Sequence, residues 1–142
     1  MTSKSIVCIL GMHRSGTSLL ARILNLLGVS LGPEKQLLPA NFANPKGYWE
    51  HQGFIELNDR ILAWAGGSYS RPPTFPVGWD TAPCLEHLRA SALALIHRDF
   101  ANAEIWGWKD PRTCLTLPFW QRILPCMRYA PKNIFWHLVS VL

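Results

Sequence analysis

Apolar and polar positions divide the chain into runs of strand length and stretches with helical spacing. Three apolar runs predict strands at residues 6–10, 105–109 and 133–142. Side chains repeating with helical periodicity predict helices at residues 16–27, 52–65 and 84–100. Because the strands alternate with helices, we expect an α/β fold with parallel strands and right-handed crossover connections.

The first predicted helix is apolar around most of its circumference. Only Arg22 and Asn25 form a polar face, so we expect a helix that packs against the sheet and is largely covered. Gly28 should end it. Proline and glycine then predict a long loop at residues 29–47 crossing the mouth of a site, and an irregular surface flap at residues 66–83.

The segment after the second strand combines residues that start helices with one that breaks them. Asp110 is expected as the helix N-cap, with Pro111 in the first helical position. Pro118 interrupts the pattern that follows, so residues 113–124 should form two short helices or one kinked helix.

The loop between the first strand and the first helix has the composition of a phosphate-binding loop. The spacing of Gly11, Gly16 and Ser18 matches the nucleotide P-loop, in which main-chain N–H groups and the helix N-terminus surround a phosphate. The lysine of that motif is replaced by Thr17, and a cation stands instead within the loop, at Arg14. The sequence therefore predicts a phosphate site without the lysine that reaches the β- and γ-phosphates.

A second polar segment should meet this loop. In open parallel sheets, ligands bind beyond the carboxyl ends of the strands. The loop follows the first strand, and residues 109–112, KDPR, follow the second. We therefore expect both segments at the same edge of the sheet.

Composition restricts the class of protein. A chain of 142 residues with 49% hydrophobic residues and seven Trp indicates one folded domain, residues 1–142. The formal charge of +5 suits an anionic ligand, but its dispersal along the chain gives no support to nucleic-acid binding. The four cysteines show no metal-binding spacing and favour a reducing compartment. No apolar run is long enough for a membrane span, so a cytoplasmic location is expected.

Three blocks of the sequence resemble the sulfotransferases that use 3′-phosphoadenylyl sulfate (PAPS). They are the loop with Arg14 to Ser18 at its centre, residues 44–50 (NPKGYWE) and residues 106–112 (WGWKDPR). The likeness is to soluble, bacterial-type members of the family. It implies a three-layer, P-loop-like parallel sheet with flanking helices, PAPS as co-substrate without a metal, and transfer of a sulfuryl group to a hydroxyl or amine. The acceptor stays open among carbohydrate, lipid, protein and small molecule.

Transfer of this kind needs a cradle for the 5′-phosphosulfate, cations for the developing charge and a base for the acceptor's proton. The resemblance implies that the main chain of residues 14–18 forms the cradle, with Arg14 and the hydroxyls of Thr17 and Ser18 in contact with the ligand; Ser15 and Gly16 complete this set. Capping of the helix is an alternative role for the two hydroxyls. Lys109 is the expected second cation, although a solvated or ion-paired lysine fits equally well. Arg112 could assist it.

The base is less well determined by the sequence. The resemblance implies a carboxylate in the region after the first helix, where Glu34, Glu50 and His51 are the candidates. We prefer Glu50, which ends the NPKGYWE block.

The family binds the 3′-phosphate with an Arg and a Ser just after the next strand, where this sequence stops at Leu142. We therefore expect the N-terminal portion of a longer domain, incomplete at its C-terminal end, with little activity by itself. Two alternatives stay open. One is a P-loop kinase-like phosphotransferase, for which Asp110 is the candidate metal-holding residue. The other is an inactive, truncated remnant.

Overall fold

The computed structural model describes residues 4–126 and 133–138, the last six as main chain. These residues form a mixed α/β fold, as the alternating pattern predicts. The strands and helices, in chain order, are β1 (Ser5–Leu10), α1 (Thr17–Leu26), α2 (Gln52–Trp64), α3 (Glu86–Phe100), β2 (Ile105–Lys109), α4 (Thr113–Ile123) and β3 (Asn133–Leu138). Short 3₁₀ helices lie at Glu34–Gln36, Trp79–Thr81, Pro83–Leu85 and Leu124–Cys126.

The three described strands form one parallel sheet in the order β2-β1-β3. β1 is the central strand, with Ser5 opposite Ile105 on one side and Asn133 on the other. The parallel arrangement confirms the prediction. β3 was expected to run to residue 142, but residues 139–142 lie outside the described part of the chain.

Alternate side chains of β1 enter two different apolar clusters. Ile6, Cys8 and Leu10 belong to a large cluster with α2, α3 and α4. Its centre is aromatic: the Phe54 ring stacks on Trp108 at 4.8 Å between centroids and lies 5.0 Å from Trp120. Val7 and Ile9 belong to a smaller cluster with α1 and the segment that follows it. The strand is thus buried on both faces, as expected for a parallel sheet.

The prediction that α1 is largely covered is wrong. Only Thr17 and Ala21 are buried in this helix, while Leu19 and Leu26 are 67% and 68% exposed. Its main contacts are with β1 and β2, and they involve the side of the helix that carries Ala21, Leu20 and Leu24. The end of the helix agrees with the prediction, since Gly28 has the left-handed φ of 98°.

α2 agrees with the predicted helix to within one residue, whereas the starts of α3 and α4 differ. A 3₁₀ turn occupies Pro83–Leu85, so α3 begins at Glu86. Asp110 is not the N-cap of α4, which begins at Thr113. Its carboxylate instead accepts a hydrogen bond from the Arg112 N–H, at 3.1 Å, in the turn before the helix.

Pro118 does not divide the segment into two helices, since α4 continues through it to Ile123. Phe119 and Trp120, directly after the proline, are fully buried. Their burial favours the helix more than the one missing N–H opposes it.

The segment at residues 66–83 is irregular, as predicted, but it is more than a surface flap. Trp79 is buried and stacks on Phe75 at 4.1 Å between ring centroids. Arg89 of α3 donates hydrogen bonds to the carbonyl oxygens of Asp80, at 2.7 Å, and Ala82, at 3.2 Å. These contacts hold the segment against α3 and the large apolar cluster.

Candidate functional site

A cavity of about 670 Å³ opens at the carboxyl ends of β1 and β2. Residues from both expected segments and both irregular loops surround it. They are His13, Arg14, Gly16, Thr17, Ser18, Leu38, Pro39, Asn41, Ala43, Asn44, Tyr48, Glu50, Tyr69, Lys109, Pro111 and Arg112. The predicted meeting of the two strand ends is confirmed, and part of the loop at residues 29–47 lines the cavity.

The loop between β1 and α1 turns through two left-handed residues. Arg14 has φ 62° and Gly16 has φ 85°. Gly16 stands at the N-cap position, and no side chain caps the helix there. The capping alternative for the Thr17 and Ser18 hydroxyls therefore receives no support, and the first N–H groups of α1 remain available to an anion.

Arg14, Ser18 and Thr17 occupy different depths of the site. Arg14 is exposed and lines the cavity, whereas Thr17 is buried at the start of α1. Ser18 is half-buried, and its Oγ accepts a hydrogen bond from Lys109 Nζ at 3.3 Å. Ser15 is turned back within the loop, since its Oγ donates to the Met12 carbonyl oxygen at 2.5 Å.

Lys109 lies at the inner wall of the cavity, where it is 3% exposed. Its ammonium donates to Ser18 Oγ, to the Tyr48 carbonyl oxygen at 3.5 Å and to Glu50 Oε1 in a short contact. The structure shows Lys109 ion-paired with Glu50, and its expected role as the second cation stays a prediction. The pairing also brings the lysine to within hydrogen-bond distance of the helix that follows the phosphate loop.

Glu50 is 6% exposed and forms the other half of this pair. Burial raises the pKa of its carboxyl group, and the neighbouring Lys109 ammonium offsets that effect only in part. Glu50 Oε2 has no hydrogen-bond partner among the described residues. Because every buried side-chain nitrogen and oxygen of those residues has a partner, Oε2 is not fully buried and keeps some accessible surface. This oxygen is free to accept a proton or a hydrogen bond from a ligand.

The other two base candidates lie elsewhere. Glu34 begins a 3₁₀ turn and lines a neighbouring cavity rather than this one. His51 is 1% exposed, and both ring nitrogens are engaged: Nδ1 accepts from the Gly53 N–H at 3.1 Å, and Nε2 lies 3.0 Å from an Asp99 carboxylate oxygen. Its geometry is that of an α2 cap held by Asp99.

Arg112 and Asp110 are bound to protein groups. Arg112 donates to Asp59 at 2.7 Å and to Asp110 at 2.9 Å, and its guanidinium lies 4.3 Å from the centroid of the Tyr69 ring. Asp110 is fully buried and also accepts from Asn58 Nδ2 at 2.7 Å. Asp110 therefore does not line the cavity, although it adjoins two residues that do.

Sequence reasoning missed Tyr69 and His13. Tyr69 comes from the irregular segment at residues 66–83, and its hydroxyl makes a short hydrogen bond with Nδ1 of His13 in the phosphate loop. Both residues line the cavity. No periodicity or motif marks Tyr69, so only the folded chain reveals its position.

Further expectations concern metals, cysteines and membranes. Within the described parts of the chain, no cluster of three or more His, Cys, Asp or Glu side chains could hold a metal ion. Cys8, Cys84 and Cys114 are free, and Cys8 is buried, as predicted. None of the helices at residues 4–126 has the length and apolar character that crossing a bilayer requires.

Comparison with known proteins does not assign the chain to a family. No protein-family model matches it, and no curated protein or solved structure is significantly similar to it.

Proposed function

We propose that this chain is a sulfotransferase domain with a three-layer, P-loop-like fold. It binds PAPS in the cavity at the sheet edge and transfers the sulfuryl group to a hydroxyl or amine of an acceptor. Support for the fold comes from the central strand β1, which is packed on both faces and leads through left-handed Arg14 and Gly16 into α1. Such a loop directs main-chain N–H groups and the positive helix end toward an anion.

One observation carries the proposal: the buried Lys109–Glu50 pair contacts Ser18 in the first turn of α1. A cation, a carboxylate and a phosphate-loop hydroxyl thus meet at one wall of the cavity. These are the groups that sulfuryl transfer requires, and they come from three segments far apart in sequence. The residues fit PAPS in charge, because Arg14 and Lys109 also line the cavity into which α1 points its N-terminus.

Each group has a defined role in the proposed reaction. PAPS supplies the sulfuryl group: a bond forms between the acceptor oxygen or nitrogen and sulfur, and the bond from sulfur to the phosphate oxygen breaks with its electron pair. Glu50 Oε2 accepts the proton that the acceptor loses. Lys109 and Arg14 balance negative charge on the transferred group and the departing phosphate.

The ionisation of Glu50 suits a base. A general base works best when its pKa lies near the working pH. Burial raises the pKa of Glu50, which strengthens the carboxylate as a proton acceptor, while Lys109 limits the rise and favours the ionised form.

The kinase-like alternative has less support. It requires a carboxylate that can hold a nucleotide-bound metal in the cavity. Among the described lining residues Glu50 is the one carboxylate, and it is paired with Lys109. Asp110 is fully buried with Asn58 and Arg112 as partners.

Calorimetry tests the proposal directly. The chain should bind adenosine 3′,5′-bisphosphate without magnesium and in preference to ATP with magnesium. Arg14→Ala should weaken this binding about tenfold to a hundredfold, the equivalent of one charged hydrogen bond. Arg60→Ala is the matched control, because Arg60 is an exposed arginine outside the cavity.

Transfer is then measured with ³⁵S-labelled PAPS and a panel of carbohydrate, lipid, peptide and phenolic acceptors. Lys109→Met should abolish labelling, because the departing phosphate loses its cation. Magnesium-dependent ATP binding without bisphosphate binding would overturn the proposal in favour of the kinase-like alternative. Absence of binding to either nucleotide would favour the inactive remnant.

A further inference from the structure

Trp49, directly before Glu50, has an unusual main-chain conformation. Its φ is 58°, in the left-handed region that bulky residues rarely adopt. Arg14 in the phosphate loop is the other non-glycine residue with positive φ among the described residues. Such conformations cost free energy and persist only where surrounding contacts enforce them, often beside functional sites.

Two contacts hold the Trp49 side chain. Its indole Nε1 donates a hydrogen bond to the Lys46 carbonyl oxygen at 3.1 Å. The guanidinium of Arg22, on α1, lies 4.6 Å from the centroid of the indole ring, within the range of a cation–π interaction. Arg22 is itself held by Asn25, whose Oδ1 accepts from its Nη1 at 2.9 Å. The indole therefore ties the segment before Glu50 to the helix that follows the phosphate loop.

The groups on either side of Trp49 converge on one ammonium. Lys109 Nζ contacts the carbonyl oxygen of Tyr48 and the carboxylate of Glu50, while the indole of the residue between them packs against the Val7 and Ile9 cluster. The main chain of Glu50 is fixed as well, since its carbonyl oxygen accepts from the Leu38 N–H at 2.7 Å. The residue with the left-handed main chain, Trp49, therefore carries the anchored indole, and its two neighbours in sequence supply the groups that contact Lys109.

We propose that Trp49 is the positioning residue for the Glu50–Lys109 pair. Its anchored, left-handed main chain keeps the Glu50 carboxylate against Lys109 and largely shielded from water. The consequence for catalysis rests on the proposed sulfotransferase function, whereas the positioning itself concerns only this chain and can be measured without any substrate.

The environment of Glu50 makes its titration a sensitive reporter. The charged and titratable groups that act on it or face it are Lys109, Asp110, Arg112 and Tyr69. Burial is the largest influence, and it raises the pKa of Glu50. If the anchor is removed, water reaches the carboxylate and this pKa should fall, because charged forms are favoured by solvation.

The experiment is a pH titration of the chain labelled with ¹³C at the glutamate carboxyl groups. The sequence contains five glutamates, Glu34, Glu50, Glu56, Glu86 and Glu104. The Glu50 signal is assigned by its loss in Glu50→Gln. In the unmodified chain it should titrate at higher pH than an ordinary glutamate.

Trp49→Gly is the decisive variant, because glycine adopts the left-handed conformation without strain but has no indole. The Glu50 midpoint should move down toward the ordinary range, and Arg22→Ala should move it in the same direction by less. Trp64→Ala is the matched control: Trp64 contacts Trp79 and lies outside the cavity, so its loss should leave the midpoint unchanged.

An unchanged Glu50 midpoint in folded Trp49→Gly protein would overturn the proposal, and a purely structural role would give that result together with lower stability. If Trp49→Gly does not fold, Arg22→Ala decides by the same criterion. Where transfer from PAPS is detected, Trp49→Gly should lower kcat about tenfold or more with a smaller change in KM for PAPS. If the Glu50 midpoint shifts in Trp49→Gly but the unmodified chain transfers no sulfuryl group, the positioning role of Trp49 is supported and the proposed function is wrong.

Discussion

Lys109 and Asp110 are neighbours in sequence, yet they enter two polar clusters of different character. Asp110 joins a buried hydrogen-bond network, which we define as Asn58, Asp110, Thr113, Thr116 and Trp120. Lys109 joins the Lys109–Glu50 pair at the cavity wall. Both clusters exclude most solvent, so burial alone does not distinguish a structural cluster from a site.

The buried hydrogen-bond network centres on Asn58. Asn58 donates to Asp110 at 2.7 Å and to Thr113 Oγ1 at 3.2 Å. Its side-chain oxygen accepts from Thr116 at 2.7 Å and from the Trp120 indole at 2.9 Å. All five residues are fully buried, and none lines the cavity. One amide from α2 thereby joins the end of β2 to α4.

The Lys109–Glu50 pair is open on one side. Lys109 reaches Ser18 at the start of α1, and one oxygen of Glu50 has no partner among the residues that the structure describes. The difference teaches that a polar group with an unused hydrogen-bonding atom beside a cavity indicates a functional site. A buried cluster in which every polar group has a protein partner indicates a structural role. Substitutions in the two clusters should therefore affect different properties.

The largest effect on stability is expected for Asn58→Leu. The substitution leaves the Asp110 carboxylate, two threonine hydroxyls and an indole N–H without their shared partner in the interior. Asp110 and the two threonines keep other partners, so the loss is that of four hydrogen bonds, one of them to a charged group. At about 0.5–1.5 kcal/mol for each neutral bond and about 1.5–3 kcal/mol for the charged one, the free energy of unfolding should fall by at least about 3 kcal/mol in urea titration.

Asn102→Ala is the control for this prediction. Asn102 is exposed, and its replacement should change the free energy of unfolding by less than about 0.5 kcal/mol. A small loss of stability in Asn58→Leu, similar to that of the control, would show that the network contributes little to the fold.

Glu50→Gln should change the pH dependence of the free energy of unfolding. Because the pKa of Glu50 is raised in the folded state, its contribution to stability is full below the unfolded-state pKa and is lost as pH rises through the folded-state pKa. Glutamine lacks this loss. The stability of Glu50→Gln relative to the unmodified chain should therefore increase between pH 4 and pH 7, measured by urea unfolding at each pH.

The same substitution should abolish sulfuryl transfer, since glutamine cannot accept the proton. Glu56→Gln is the control, because Glu56 is exposed on α2 and lies outside the main cavity. A relative stability of Glu50→Gln that falls as pH rises would mean that Lys109 outweighs burial and lowers the pKa of Glu50.

The smallest effect is expected at the contact between Tyr69 and His13. Tyr69→Phe removes a hydrogen bond beside the cavity but keeps the ring over Arg112. The free energy of unfolding should change by less than about 1 kcal/mol, because solvent can replace the bond. Bisphosphate binding should weaken by a few-fold, and Tyr69→Ala should weaken it further, because the ring contact that helps to position Arg112 at the cavity is lost as well. Equal binding by both variants and the unmodified chain would place Tyr69 outside the ligand's reach.

The sequence by itself determined the parts of this protein that depend on local pattern. The run at residues 6–10, the glycine-containing loop and the helix after it were predicted in order, and β2 was predicted residue for residue. The rule that parallel strands present their carboxyl ends at one edge was sufficient to bring Lys109 near the phosphate loop. Periodicity and chain direction are properties of neighbouring residues, so they can be read without the fold.

Only the tertiary structure decided which side chains meet. Glu50 and Lys109 are 59 positions apart. Glu34 and His51 were equally suitable as bases by residue type, but in the folded chain Glu34 lines another cavity and His51 is bound to Asp99. The exposed side of α1 was mispredicted for the same reason. Apolar composition states what a side chain favours, but its partner is fixed by long-range packing that no local pattern contains.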